Sequence, residues 1–312
     1  MTFKNTIRLL MANFSTVWKL VFYYLIVLGI VVGLMSPFFG VIGTTINGTG
    51  DLTAIGDLLT TFNVSVNFIS FVGELNILLS SVIQSILNLF ITNFWIAIYL
   101  SVLMLYVLPV LFGLADLPVG QTLFGYMSSL TKYNFVGSYV SMLGRSIRFQ
   151  LFKNLIYLPF NLLIIAVFVL TLGLSAVGGL MIYFLPIIII VPFIVLVALK
   201  RTLLSGWMPA KVVYDCNMFV AFGKGMKAVF KRFFRVFSTA LAMTIIIFAL
   251  SYLFGTYAIF VIIPVGMAMF YVFEMVTFYS SQGMRFYVDL DTIVKPKLLE
   301  ECDSFKKAKD VI

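Results

Sequence analysis

Three sets of residues have types and spacings that could do chemistry. The first is a single carboxyl group. Glu274 is the only acid in the apolar run VIIPVGMAMFYVFEMVTFY, and an ionisable group inside a membrane span is costly unless it has a partner or a task. It either snorkels or pairs with Lys200 or Arg201 at the matching end of the fourth apolar segment, or it couples a proton or cation or contacts a lipid head group. The second set is neutral and polar. Gln84, Asn88 and Thr92 recur every four residues and so share a helix face, which Tyr99 continues and Asn161 could meet from the next span. Such a seam serves interhelical hydrogen bonds, each worth about 1 kcal/mol, or lines a polar path for a substrate. The third set is cationic. In FVAFGKGMKAVFKRFFRVF, from Phe219 to Phe237, helical spacing puts Lys224, Lys227, Lys231 and Arg235 on one face with Arg232 beside them. Phe219, Phe222, Met226, Val229, Phe230, Phe233 and Phe237 fall on the opposite face. Aromatic and cationic faces back to back mark a helix lying in a membrane interface.

Other chemistry finds few candidates. The sequence has no histidine, the commonest general base and metal ligand. Cys216 and Cys302 stand alone, without metal-ligand spacing. Gly223-Lys224-Gly225 lacks the glycine pattern of a phosphate loop. The acids are too scattered for a two-metal site. We expect neither an enzyme nor a bound cofactor or metal.

The elements that position these residues are membrane spans. The 312 residues are 62% hydrophobic and 11% charged, with a mean hydropathy of +1.11, whereas soluble domains carry about 25% charged residues. The pattern predicts an all-α membrane protein with spans near 17–39, 86–113, 155–174, 180–203, 237–254 and 257–280. An outer loop covers 40–85 and a tail covers 285–312. The outer loop is expected to hold short surface helices over 51–62 and 66–83, and the tail a short helix with a frayed end. Met1 to Lys19 reads as an amphipathic segment and not as a signal peptide.

Charge sets the orientation. With the N-terminus inside, all 21 Lys and Arg fall in inner segments or at their edges, and the outer loop carries only Asp51, Asp57 and Glu74. Cationic loops stay on the cytoplasmic side, so both termini are expected there and the cysteines are expected to be free thiols. The net charge of +9 is thus accounted for by topology and anionic lipid, without nucleic acid as a partner.

The cationic helix also recurs. Phe222, Met226, Val229, Phe230, Phe233 and Phe237 match the spacing of Phe3, Ile7, Leu10, Met11, Phe14 and Trp18. A weaker copy runs through Phe135, Tyr139, Met142, Leu143, Ser146 and Gln150, with Arg145 and Arg148 in register with Arg232 and Arg235. Two spans follow each copy. The chain reads as three units of interfacial helix plus transmembrane hairpin.

Residues 207–237 end with the basic helix, after PAKVVYDCNM and just before the fifth span. In this layout the chain resembles a loose group of six-span bacterial inner-membrane proteins, and is similar to the membrane region fused to some glycerophosphodiester phosphodiesterases. The resemblance implies a bacterial envelope protein. The phosphodiesterase barrel is missing, so no catalytic activity carries over. Two functions are expected of such a chain. One is to bind or organise anionic lipid, or to scaffold a membrane-protein partner or a second copy, through the basic helices, with Arg145 and Arg148 contributing. The other is transport, through Glu274, the polar seam and spans kinked at Pro186, Pro192 and Pro264.

Overall fold

The computed structural model describes residues 2–47, 53–55, 57–58, 73–74, 77–78, 81–82, 84–85, 88, 91–175, 181–255, 258 and 260–295. The fold is all-α, and six helices are long and apolar enough to cross a membrane. Most of the expected outer loop, including 59–72, and the tail beyond 295 lie outside the described residues.

α1 (Thr2–Ala12) breaks at Asn13 and continues as α2 (Phe14–Met35), a short turn at Pro37 and α3 (Phe39–Asn47). α4 (Phe94–Val102) passes through one widened turn, Leu103–Val107, into α5 (Leu108–Gly113). Pro109 sits just past that turn, and a missing proline N–H explains why the helix relaxes there. α6 (Asp116–Ser129) follows, then α7 (Phe135–Ser175) and α8 (Met181–Leu204). α9 (Trp207–Tyr214) and α10 (Met218–Phe230) lead into α11 (Phe233–Phe254) and α12 (Ile262–Gln282). Two short strands, β1 (Phe286–Tyr287) and β2 (Ile293–Val294), pair antiparallel.

The described residues form two compact units. One takes 1–27, 110–153 and 197–312; the other takes 28–109 and 154–196. The first is built around α12, which packs against α1, α6, α9, α10 and α11. In its most apolar stretch α12 is 72% buried, against 39% or less for every other span. Phe270 and Phe273 of α12 interdigitate with Val236, Ala240 and Met243 of α11. Away from this core the side chains are apolar and exposed, among them Phe22, Ile26, Tyr252 and Leu253. A surface of that kind is stable only against hydrocarbon. In the second unit, Asn154 Nδ2 donates to Tyr106 O at 3.0 Å within the widened turn, and Tyr99 OH donates to Leu34 O at 3.1 Å. Backbone and tyrosine groups away from water are thereby satisfied.

The helix break recurs in register. Aligning Phe3 with Phe222 puts Asn13 on Arg232 and Phe14 on Phe233, and both α1/α2 and α10/α11 break at that point. The middle copy differs. There the interfacial segment and its span form one continuous helix of 41 residues, α7.

The start of the tail holds a hairpin over 286–294 that the sequence reading did not contain, and the tail beyond 295, where the expected short helix and frayed end would fall, lies outside the described residues. Asp289 Oδ1 accepts from the backbone N–H of Thr292 at 2.6 Å and of Asp291 at 3.1 Å, which closes a turn that competes with helix. Phe286 and Val288 alternate inward and are fully buried, where β1 meets α6. Hydrogen bonds from the Thr292 side chain, then from the backbone of Thr292 and Asp291, hold the Asp289 carboxyl below its usual range. A depressed carboxyl stabilises the fold above its unfolded value and loses that contribution as pH falls through the folded one. We expect the hairpin to loosen only below about pH 4, seen as broadening of the Thr292 and Asp291 amide resonances. Loosening already at pH 6 would contradict this.

Candidate functional site

The single helix expected over Phe219–Phe237 is broken: Lys224 and Lys227 lie on α10, Lys231 and Arg232 at the break, and Arg235 in the first turn of α11. Lys224, Lys227, Lys231, Arg232 and Arg235 are all exposed. Lys224 lies 4.0 Å over the ring of Tyr214. Among the described residues none of the five is within ion-pair distance of a carboxylate. Phe219, Phe230 and Phe234 are 71%, 58% and 83% exposed alongside them. Phe230, Phe233 and Phe237 stack in sequence, with successive centroids 6.0 Å apart. The result is a continuous aromatic ridge with charged groups beside it, suited to the boundary between acyl chains and head groups. In α1, Phe3, Ile7 and Met11 are likewise exposed while Leu10 is buried, and at the start of α2 Phe14 and Trp18 are exposed.

Each of these helices also has an inward face that the aromatic pattern hides. Ala221, Gly225, Ala228 and Val229 are buried, and small residues at that spacing let two helices touch. α10 seats on α9, and Gly206 meets Gly225 so closely that a Cβ built on Gly206 would lie 2.4 Å from the Gly225 carbonyl oxygen. Trp207 Nε1 donates to Met218 O at 3.0 Å, and its ring meets Phe149 and Phe222 edge-on at 5.3 and 5.0 Å. In α1 the corresponding inward residues are Thr6, Leu9 and Leu10. These contacts fix which way the basic face points.

Arg145 and Arg148 are exposed on α7. Arg145 Nη1 lies 3.5 Å from Asp215 Oδ1, and Lys211 pairs with the same oxygen at 3.5 Å. Exposed pairs of this kind contribute about 0–1 kcal/mol. Arg145 is therefore locally compensated, whereas the α10 cations are not.

The intramembrane candidates divide. Gln84 and Asn88 are exposed, as is Thr92, whose hydroxyl donates to Asn88 O at 2.7 Å. Asn161 is half-buried on α7. Glu274 is buried, 7% exposed, and the cations acting on it most strongly are Lys153, then Arg201. The Arg201 guanidinium rests 4.9 Å over the Phe270 ring, one turn away on α12.

A polar centre that sequence reasoning missed lies in the first unit. Asp116, in the first turn of α6, is 2% exposed and forms an ion pair with Lys153 of α7. Its Oδ2 also accepts from Gln150 Nε2 at 2.8 Å, and its Oδ1 accepts from Tyr271 OH at 2.6 Å. Tyr271 OH in turn lies 3.0 Å from Tyr24 OH. Gln150 also donates to Gly113 O, an approach that any side chain at Gly113 would block. One carboxylate thus ties together residues from α2, α6, α7 and α12. A buried charge is tolerable only when paired and hydrogen-bonded, and Asp116 meets both conditions. The helix N-terminus adds favourable dipole. The signal available in the sequence was weak: Asp116 is the only Asp or Glu between Glu74 and Asp215.

Comparison with protein-family models, with curated proteins and with solved structures yields no match.

Proposed function

We propose that the protein resides in a bacterial cytoplasmic membrane with both termini inside. There its basic inner-face helices bind and organise anionic phospholipid and offer a scaffold to envelope partners. One observation carries this reading. Lys224, Lys227, Lys231, Arg232 and Arg235 stand exposed without a carboxylate partner among the described residues, beside exposed Phe219, Phe230 and Phe234. Five uncompensated charges are repelled by one another unless an anionic surface lies nearby. Near such a surface each contributes about 1 kcal/mol of attraction.

The test is the lipid that stays with the protein through mild detergent extraction. The expected result is that phosphatidylglycerol is enriched over its share of the bulk membrane. The triple variant Lys224→Glu, Lys227→Glu, Lys231→Glu is expected to lose the enrichment, while Glu274→Gln keeps it. Equal enrichment in the triple variant would count against the reading.

A second reading, transport, draws on the burial of Glu274 with Lys153 and Arg201 as its strongest charges. It requires ion-coupled flux in proteoliposomes that Glu274→Gln abolishes and the triple lysine variant spares. The carboxylate of Asp116 favours the first reading, because its oxygens are already occupied by Lys153, Gln150 and Tyr271.

A further inference from the structure

α11 begins beside a small notch in the first unit, lined by Arg232, Arg235 and Val236 on one side and Phe273, Thr277 and Ser280 of α12 on the other. Phe273, Thr277 and Ser280 are spaced by four and three, so one face of α12 supplies that wall. Two features make the notch an anion site in chemical terms. The first is positive charge. Both guanidinium groups lack a carboxylate among the described residues. They flank the first turn of a 22-residue helix whose N-cap is not closed by a side chain, so unpartnered amide groups and the helix dipole add to them. The second is independent of charge. Thr277 is 6% exposed and its Oγ1 has no hydrogen-bond partner. A buried hydroxyl without a partner costs about 1–3 kcal/mol, so a ligand oxygen entering the notch would relieve it. The notch has about 10 Å³ of room, enough for roughly one oxygen-sized atom.

We propose that this notch binds the phosphate of an anionic phospholipid, one phosphate oxygen accepting from Thr277 Oγ1 while Arg232 and Arg235 hold the others. The assignment rests on the lipid reading above and narrows it from a charged surface to one stereospecific contact. The lipid's acyl chains would then run along the exposed Phe230 and Phe234, which border the same helix junction. Lipid and not free phosphate is the occupant because the charged groups adjoin an apolar exterior. At the equivalent break of the first unit, around Asn13, Thr16 and Lys19, a wider cleft of about 250 Å³ opens. Asn13 there takes the place of Arg232 and Thr16 that of Arg235, so the paired guanidinium groups belong to the α10/α11 break.

The test measures the thermal midpoint of the full chain in a non-ionic detergent, titrated with dioctanoyl phosphatidylglycerol, dioctanoyl phosphatidylcholine or inorganic phosphate. Phosphatidylglycerol is expected to raise the midpoint saturably, and the other two are expected to do so far less. The double variant Arg232→Gln, Arg235→Gln should raise the half-saturating concentration at least about tenfold, as loss of a charge-assisted hydrogen bond implies. Thr277→Val should raise it several-fold without lowering the lipid-free midpoint, because its hydroxyl has no partner to lose. That combination would not follow from a purely structural threonine. Lys224→Gln, Lys227→Gln, Lys231→Gln should change it less than about threefold at physiological salt, where exposed charges are screened within about 8 Å. If the lysine variant loses the response and Thr277→Val and the arginine variant keep it, the notch is not the site and the diffuse lipid reading stands alone. If wild type shows no response to phosphatidylglycerol, both fall. If inorganic phosphate works equally well, the lipid assignment is wrong. Should the arginine variant fail to fold, Thr277→Val decides.

Discussion

Replacing Asp116 by alanine is expected to be the most damaging single change to the stability of this protein. The carboxylate balances Lys153 and takes hydrogen bonds from Gln150 and Tyr271, all buried. Its removal takes the carboxylate from the Lys153 ammonium and one acceptor each from Gln150 and Tyr271. Removing one member of a buried ion pair costs about 3–5 kcal/mol, most of it the penalty on the charge left behind. The double variant Asp116→Leu, Lys153→Met should recover more than half of that loss, since both charges go together. Tyr271→Phe should cost less, about 1.5–3 kcal/mol for one bond to a charged group. Unfolding midpoints of the purified chain in detergent give the comparison. An Asp116→Ala variant as stable as wild type would mean that the pair does not hold the helices together.

The second large effect is expected at the crossing of α9 and α10. A Cβ at Gly206 would sit 2.4 Å from the carbonyl oxygen of Gly225, and one at Gly225 would sit 2.5 Å from the carbonyl carbon of Gly206. Both obstacles are backbone, so no rotamer change relieves them. Overpacking of this kind costs about 1–3 kcal/mol and at times more. In Gly206→Val or Gly225→Val we expect α10 to lift from its seat, which also misdirects Lys224, Lys227 and Lys231. Hydrogen exchange should accelerate across Met218–Phe230 while α12 stays protected. Unchanged exchange over that segment would show that the close approach is dispensable.

The spans were legible because each needs many apolar residues in a row. The exposure of Lys224 and Lys227 was legible from their helical period, but the break at Lys231 and Arg232 was not. The polar centre was not legible. Tyr24, Asp116, the Gln150/Lys153 turn of α7 and Tyr271 are far apart in sequence, and at the ends of apolar segments Asp116 and Lys153 look like ordinary flanking charges. Only the packing of α6, which is buried along most of its length, converts Asp116 from a loop acid into an interior one. The stripe Ala221, Gly225 and Ala228 was visible but outweighed by the phenylalanines around it, so the interfacial helix was read with two faces when it has three. The middle repeat retained the interfacial spacing but not the break, and α7 runs straight through it. The hairpin after α12 was missed because Asp289 and Thr292 determine it by local hydrogen bonds, which leave no periodic trace.

Under the proposed function the basic helices, and neither Glu274 nor the Asp116 centre, meet the lipid. The most direct test of that division is electron paramagnetic resonance on the reconstituted protein with spin-labelled phosphatidylglycerol and phosphatidylcholine. The account predicts a larger motionally restricted fraction for phosphatidylglycerol. Glutamine at Lys224, Lys227, Lys231, Arg232 and Arg235 together should abolish the excess, as should 1 M salt, where screening acts within about 3 Å. Equal restriction of the two lipids by the wild-type chain at low salt would contradict the account.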